Sequence, residues 1–457
     1  MARVGIVGGG ISGLLAAYRL QKSGISVELF ESSDRVGGVI ETTQTAGFLV
    51  EHGPNSLRPT PLLETVLSEL DLDAARVWAS DTADTRYVVR DGRPVSLPMS
   101  IGSFLTTDLF SGRAKLRLLA EPFIRARPTD AAEESLADFT RRRLGPEVLN
   151  YAVAPFVGGV FAGRPDDLSA QHAFGRLVDL EREYGSLFWG ALRSMGDDEK
   201  PETPSGLFSF RDGLETLPQR LAAQVGDAIH LNTRVTALRR DDDNWTVTAA
   251  PPADSTRFAS FDAIICTAPL HALSNITLGG TTVDRSPLAD TEYPPVHVVA
   301  LGYERDDVAH PLDGFGMLVP PVEDSFDVLG TIFSSSLFPG RAPDGSVLLT
   351  TFVGGARTPS LAERSPSEIQ TIVERDLGRL LGVEGSPSFT HHVHWSQAIP
   401  QYTLGYGTVK QTLDQLESER NGLFFAGNYR EGVSVGDAMA SGASAAERAE
   451  SMIRGSA

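Results

Sequence analysis

Apolar and polar positions follow two rhythms along this chain, and the change from one to the other divides it. Arg3–Val7 is a short β-branched run, Ser12–Ser23 spaces its apolar residues as a helix does, and Ser26–Phe30 is apolar again. Together they predict one βαβ unit, with Gly24 at the helix C-cap. Thr60–Leu70 predicts a helix, and Arg86–Val89 and Pro94–Leu97, joined through Asp91-Gly92, predict a hairpin. From about residue 99 to 195 helical patterns rich in Leu, Phe and Arg take over, broken at Gly145-Pro146 and Gly158-Gly159. Alternation returns at Ala228–Leu231, Asn244–Ala249 and Asp262–Cys266, and a strand-rich block runs from about 283 to 355. A helix over Pro366–Leu381, a strand over Leu423–Ala426 and a small-residue helix reaching Ile453 close the chain.

Composition narrows the classes. A chain of 457 residues exceeds what one core supports, so two or three domains are expected. The net charge of −19 excludes a nucleic-acid surface, which needs clustered cations. The single cysteine, Cys266, rules out an intrachain disulfide and makes a reducing cytoplasm the expectation. No run of about 18 apolar residues occurs, and a buried-strand pattern follows Met1, so neither a transmembrane helix nor a signal peptide is expected. His391, His392 and His394 read as strand residues on alternating faces, and no metal site is expected.

The chemistry begins at Gly8, Gly10 and Gly13, a G-x-G-x-x-G set after a strand and opening a helix. Gly8 permits the tight turn, Gly10 lets the backbone approach a pyrophosphate, and Gly13 lets helix and strand pack closely. Ile11 and Ser12 begin the helix whose free N–H groups would face phosphate. Glu31, followed by Ser32, ends the second strand, where a carboxylate accepts ribose hydroxyls. There is no second such motif and no cysteine pair, so electrons are expected to leave to oxygen or a quinone. Cys266 reads as a buried strand residue, and the dinucleotide as non-covalently bound.

Further strings carry a resemblance. Arg35-Val36-Gly37-Gly38, then Gly53-Pro54-Asn55-Ser56, and the closing GLFFAGNYREGVSVGDAMASGASAAERA resemble the FAD fingerprint of the flavin amine oxidase superfamily. The strings GPNSLRP, APFVGGVFAGRPDDLSA, GTIFSSSLFPGRAP, TTFVGGAR, HWSQAIPQY and AGNYREGVSVGDA, in that order from Gly53 to Ala438, resemble the protoporphyrinogen oxidase family.

The resemblance implies an α/β fold with a discontinuous Rossmann-like FAD domain (1–78, 206–282 and 393–457). It adds a mixed-sheet α+β substrate domain (79–98 and 283–392) and a helical, membrane-contacting insert (99–205). It implies one non-covalent FAD held by Gly8, Gly10, Ile11, Ser12, Gly13, Glu31, Ser32, Arg35, Gly37, Gly38, Gly53, Pro54, Asn55 and Ser56. Val235, Trp395, Gly427, Asn428, Val433, Ser434 and Val435 complete that set, and the helix after Val435 is expected to stabilise charge on the reduced ring. For the substrate it implies Arg86 on a propionate, Gly159 facing the pyrrole N–H groups, Leu318 and Ile332 sandwiching the macrocycle, and Phe352 stacking on it. Taken singly, Arg86 also reads as a surface residue, Gly159 as a turn glycine, and the three apolar residues as core.

The implied reaction is oxidation of protoporphyrinogen IX, with coproporphyrinogen III as the alternative if Arg164, Arg211 or Arg357 binds extra propionates. Amine oxidation fits poorly, because Lys22, Lys115, Lys200 and Lys410 all lie outside the strand-rich block. A desaturase or a non-catalytic flavin protein is a lower alternative. Met99–Arg127 mixes Leu, Ile and Phe with Arg and Lys, giving the expectation of peripheral contact with the inner face of the cell membrane through Leu105, Leu109 and Phe110. The resemblance leaves open a homodimer and hand-off of product to a ferrochelatase.

Overall fold

A computed structural model describes residues 2–128, 131–197, 204, 206–241, 244–250 and 256–455. Five parallel strands run in the order Leu423–Phe425, Ala263–Cys266, Arg3–Val7, Ser26–Phe30, Ile229–His230. All but the last are largely buried, as a parallel sheet covered on both faces requires. The chain ends meet here. Helices Ile11–Lys22 and Val435–Gly455 pack so closely that a Cβ at Gly442 would strike the Ser12 carbonyl, and Ser12 Oγ donates to the Ala438 carbonyl at 2.7 Å.

The second large sheet has seven strands in the order Phe389–Trp395, Val296–Glu304, Ser346–Gly354, Val328–Phe333, Gly316–Leu318, Arg86–Arg90, Arg93–Ser96. Phe389–Trp395 runs across position 392/393, so the border expected there falls inside a strand of this sheet. Helix Pro366–Leu381 covers one face, packing Ile369, Val373 and Leu377 on Val299, Leu301, Met317 and Leu349. The histidines alternate as expected: His391 bonds to His52, whereas His392 and His394 lie with His297 on the other face. A four-stranded sheet, ordered Thr256–Phe261, Asn244–Ala250, Arg234–Asp241 and Thr277–Leu278, completes the larger layers.

The insert is helical, with two corrections. Gly145 breaks the helix at φ +96°, but Gly158 and Gly159 lie inside helix Ala154–Phe161, which ends instead at Ala162 with φ +49°. Leu109 and Phe110 are buried with Val88, Ala114 and Val148, because this segment closes over the edge of the seven-stranded sheet. Leu105 is exposed. A buried pair, Glu121 with Arg143, organises the rest: Glu121 also accepts the Leu187 N–H at 2.9 Å and the Ser186 hydroxyl at 2.6 Å. Among the described residues no helix is long and apolar enough to cross a membrane.

Candidate active site

The dinucleotide set assembles at the C-terminal ends of the parallel strands, where open α/β sheets bind ligands. Gly8 has φ +107°, and a Cβ on it would sit 2.7 Å from Thr267 Oγ1. Thr267 donates to the Val7 and Gly8 carbonyls, each at 3.0 Å, pinning the turn from the neighbouring strand. A Cβ at Gly13 would strike the Gly8 carbonyl, so helix and turn touch through glycine alone. Gly10 is different: a Cβ there would meet nothing within 4 Å. The helix it opens has no side-chain cap and no acid in its first turn. Free amides with positive helix dipole and open space beside them fit a diphosphate.

Glu31 holds this turn. One carboxylate oxygen accepts the Gly9 N–H at 2.7 Å and the other the Ser33 N–H at 2.8 Å, with Ser32 Oγ at 3.3 Å. The Arg35–Gly38 turn lies directly on the glycine turn, with the Gly37 N–H on the Gly9 carbonyl at 2.8 Å. Arg35 donates to the Gly38 carbonyl at 2.7 Å and pairs with Glu41 at 2.6 Å. Glu41 in turn faces His52 Nδ1 at 3.2 Å. His52 immediately precedes Gly53, Pro54, Asn55 and Ser56, and its carbonyl accepts the Trp395 indole N–H at 2.8 Å. Trp395 thereby joins the seven-stranded sheet to the dinucleotide side.

At the chain's other end Gly427, φ +143°, follows strand Leu423–Phe425 and donates to Ser441 Oγ at 3.0 Å. Asn428 follows it. Val235, the second residue of strand Arg234–Asp241, is buried, and the Thr233 N–H just before that strand bonds the Glu31 carbonyl at 2.7 Å. The helix after Val433, Ser434 and Val435 departs from expectation. Asp437 sits in its first turn and accepts from the Ser434 N–H at 3.2 Å and the Ser434 hydroxyl at 2.6 Å. That terminus already carries a carboxylate, so it is less positive than the first helix's. Cys266 is fully buried, and burial pushes its thiol up to about 12, leaving it inert.

The residues expected to meet the substrate come together on the sheet face away from helix Pro366–Leu381. Strand register puts Leu318, Gly330 and Phe352 in one row, and Arg86, Gly316 and Ile332 in the next row on the same face. Each row has a glycine at its centre, and neither leaves open space. A Cβ at Gly316 would strike the Thr331 carbonyl oxygen, and one at Gly330 would lie 2.7 Å from the Met317 carbonyl oxygen and 3.0 Å from Leu318 Cδ2. Gly316 and Gly330 were not singled out in the sequence; glycines inside a strand signal such close approach. Gly159 packs on this face: a Cβ there would lie 2.6 Å from Leu318 Cδ2. Arg86 lies with its guanidinium carbon 5.7 Å from the Phe315 ring centroid, and no carboxylate among the described residues pairs with it. The seven strands contain no lysine.

The glycine turn and open helix N-terminus at the ends of the parallel strands, joined through Trp395 to a second, mixed sheet, fit an oxidoreductase of the flavoprotein class. Residues 11–449 match the flavin containing amine oxidoreductase family, and the chain belongs to it, with FAD as its cofactor. Within it the chain belongs with the protoporphyrinogen oxidases. It is 36% identical over 97% of its length to protoporphyrinogen oxidase 2 of Arabidopsis thaliana, covering 93% of that protein. It is 28% identical to coproporphyrinogen III oxidase of Bacillus subtilis, with 96% of each chain covered. A solved structure from Exiguobacterium sp. 255-15 has the same fold, with TM-score 0.80 and 23% identity over 98% of each chain. A putrescine oxidase shares it at TM-score 0.72 and 20% identity, over 98% of this chain and 99% of that one.

Proposed function

We propose that this chain oxidises protoporphyrinogen IX to protoporphyrin IX in haem biosynthesis, a six-electron change overall with oxygen as acceptor. The observation that carries this reading is the sheet face where Leu318 and Phe352 flank Gly330, with Gly159 packed on Leu318 and Arg86, which has no carboxylate partner among the described residues, one row away. A flat macrocycle with carboxylate arms needs an apolar face without bulky side chains at its centre and such a cation. FAD, when bound, supplies a hydride acceptor.

The chain's own residues bind and orient. Arg86 pairs with a propionate through its planar fork. Leu318, Ile332 and Phe352 hold the ring and keep water from it. Gly159 lies in the last turn of its helix, where carbonyls lack helical partners and are free to accept pyrrole N–H groups. The dinucleotide is held by the glycine turn, Glu31, the Arg35–Gly38 turn, residues 53–56 and Gly427-Asn428.

Of the three arginines that would anchor the extra propionates of coproporphyrinogen III, Arg357 is engaged elsewhere, donating to the Val319 and Phe326 carbonyls at 3.0 and 3.1 Å. Arg164 makes only an exposed pair with Asp167 at 3.4 Å, and Arg211 is exposed. The engagement of Arg357, with 36% identity to a protoporphyrinogen oxidase against 28% to a coproporphyrinogen III oxidase, favours protoporphyrinogen IX. The test is porphyrin fluorescence in air with both porphyrinogens, against enzyme-free blanks. Faster oxidation of protoporphyrinogen IX is expected, and no enzymatic fluorescence from flavin-loaded protein with either compound overturns the reading.

A second reading concerns the membrane. Leu116, Leu119, Phe123, Phe188, Trp189 and Leu192 are exposed on the insert. Glu121 gathers them by tying the turn at 121–123 to the start of helix Leu187–Asp197. Exposed Arg113 and Arg125 lie on the same segments. An apolar patch with flanking cations suits peripheral attachment to a lipid surface.

A further inference from the structure

The segment from Trp395 to Tyr406 makes contacts that the activity does not by itself explain. It crosses between the substrate side and the dinucleotide side, and its hydrogen bonds go to both. Gln401, 3% exposed, donates from Nε2 to the Phe161 carbonyl at 2.8 Å. Phe161 ends the helix that carries Gly159, and a Cβ at Gly163, just beyond, would collide with Gln401 Oε1. The same helix end is held by the Ala356 N–H on the Ala162 carbonyl at 2.7 Å.

The next residue faces the other way. Tyr402, 1% exposed, donates its phenol to the Asn428 carbonyl, and Tyr406 donates to the Tyr429 carbonyl at 2.7 Å. Tyr429 in turn donates to the Cys266 carbonyl at 3.1 Å, back onto the parallel sheet. Burial drives the Tyr402 and Tyr406 phenols well above their ordinary pKa, so both stay protonated and remain donors. Their rings lie 4.5 Å apart. Two successive carbonyls of the loop that presents Gly427 and Asn428 are thus gripped by hydroxyls from a single segment.

We infer that Gln401 and Tyr402 are paired positioning residues: Tyr402 sets the dinucleotide loop at Asn428, Gln401 sets the helix bearing Gly159, and their adjacency fixes the spacing between the two. Neither touches the reacting atoms. The Tyr402 half is independent of which substrate is oxidised, and the Gln401 half rests on the porphyrinogen reading.

The test uses flavin-loaded enzyme in three variants: Tyr402→Phe, Gln401→Leu and the conservative Gln401→Glu. FAD release after dilution is followed by flavin fluorescence, KM and kcat for the porphyrinogen are measured separately, and thermal unfolding of the holoenzyme is the control. Loss of one buried donor predicts that Tyr402→Phe speeds FAD release about five- to tenfold with KM changed less than about twofold. Both Gln401 variants, which lose the Nε2 donor, are expected to raise KM about fivefold and leave FAD release within about twofold of wild type. Equal changes in both readouts for all variants, or no change in either, overturn the inference. If Gln401→Leu fails to fold, Gln401→Glu decides that half. If wild type oxidises no porphyrinogen, the functional reading fails while FAD release from Tyr402→Phe still decides the other half.

Discussion

Gly159 and Leu318 pack directly on each other, with Leu318 Cδ2 standing 2.6 Å from where a Cβ at position 159 would lie. The neighbour is the tip of a flexible side chain, so Gly159→Ala pushes the methyl aside instead of breaking the fold. Ala also gains about 1 kcal/mol over Gly inside a helix, which offsets part of an overpacking cost of about 1–3 kcal/mol. Melting temperature is therefore expected to stay within a few degrees of wild type while porphyrinogen oxidation falls sharply. Gly159→Leu is expected to abolish turnover with FAD still bound, and a wild-type rate from either variant removes Gly159 from the pocket.

Arg86 has a ring neighbour but no carboxylate partner among the described residues. A cation without such a partner is available to a substrate carboxylate, and such a charge-assisted contact contributes about 1.5–3 kcal/mol. Arg86→Ala should raise KM about ten- to a hundredfold with FAD content unchanged. Steady-state kinetics alongside the flavin absorbance ratio separates this from a structural role, in which flavin would be lost too.

Glu31 accepts N–H groups from Gly9 and Ser33 with its two oxygens. A glutamine offers one oxygen and turns its NH2 towards the other donor, so one of the two amides loses its acceptor. Glu31→Gln is expected to speed FAD loss on dialysis about tenfold, from the missing charge-assisted bond. Flavin content equal to wild type would exclude Glu31 from cofactor retention.

How much of this was legible in the sequence differs by residue. Gly8, Gly10 and Gly13 were readable because a tight turn on a strand–helix junction admits few other residues, and helix Pro366–Leu381 because its apolar period is regular. Gly158-Gly159 read as a break, yet a helix passes through it. The conformational cost of glycine is local, whereas the need for no side chain arises from Leu318, distant in sequence. Leu109 and Phe110 read as a surface because their burial comes from Val88 and Val148, again remote along the chain. Gln401 and Tyr402 lay inside a recognised string, but only tertiary structure shows that neighbouring side chains grip opposite halves of the site.

His297 is 2% exposed, with Nδ1 2.9 Å from His392 Nε2 and its ring stacked 4.2 Å from His394. Burial, then the two neighbouring imidazoles, push it down from 6.5 to about 4. Above the unfolded value of 6.5 both states are neutral and His297 adds no pH dependence. As pH falls from 6.5 to about 4 the unfolded chain takes up a proton that the folded site refuses, so stability drops across that window and levels below it. His297→Phe should flatten this part of the stability-against-pH curve in denaturant titrations. An unchanged slope between pH 6.5 and 4 would mean that His297 is protonated in the fold.

The insert separates two sets of apolar residues that the sequence ran together. Phe123 is 90% exposed, whereas Leu109 is 0% exposed and belongs to the core beneath the sheet edge. Removing the first set costs less folding energy, because Phe123 is 90% and Phe188 and Leu192 are 52% and 53% exposed, but it removes the area available to lipid. At about 25 cal/mol per Å² of apolar surface, losing several large side chains is enough to release a weakly attached protein. The triple change Phe123→Ser, Phe188→Ser and Leu192→Ser should abolish flotation with anionic liposomes while melting temperature and FAD content hold. Leu109→Ser should do the reverse, lowering the melting temperature through a buried unsatisfied hydroxyl while the folded fraction still floats. Flotation of the triple variant at the wild-type level would show that this patch does not meet lipid.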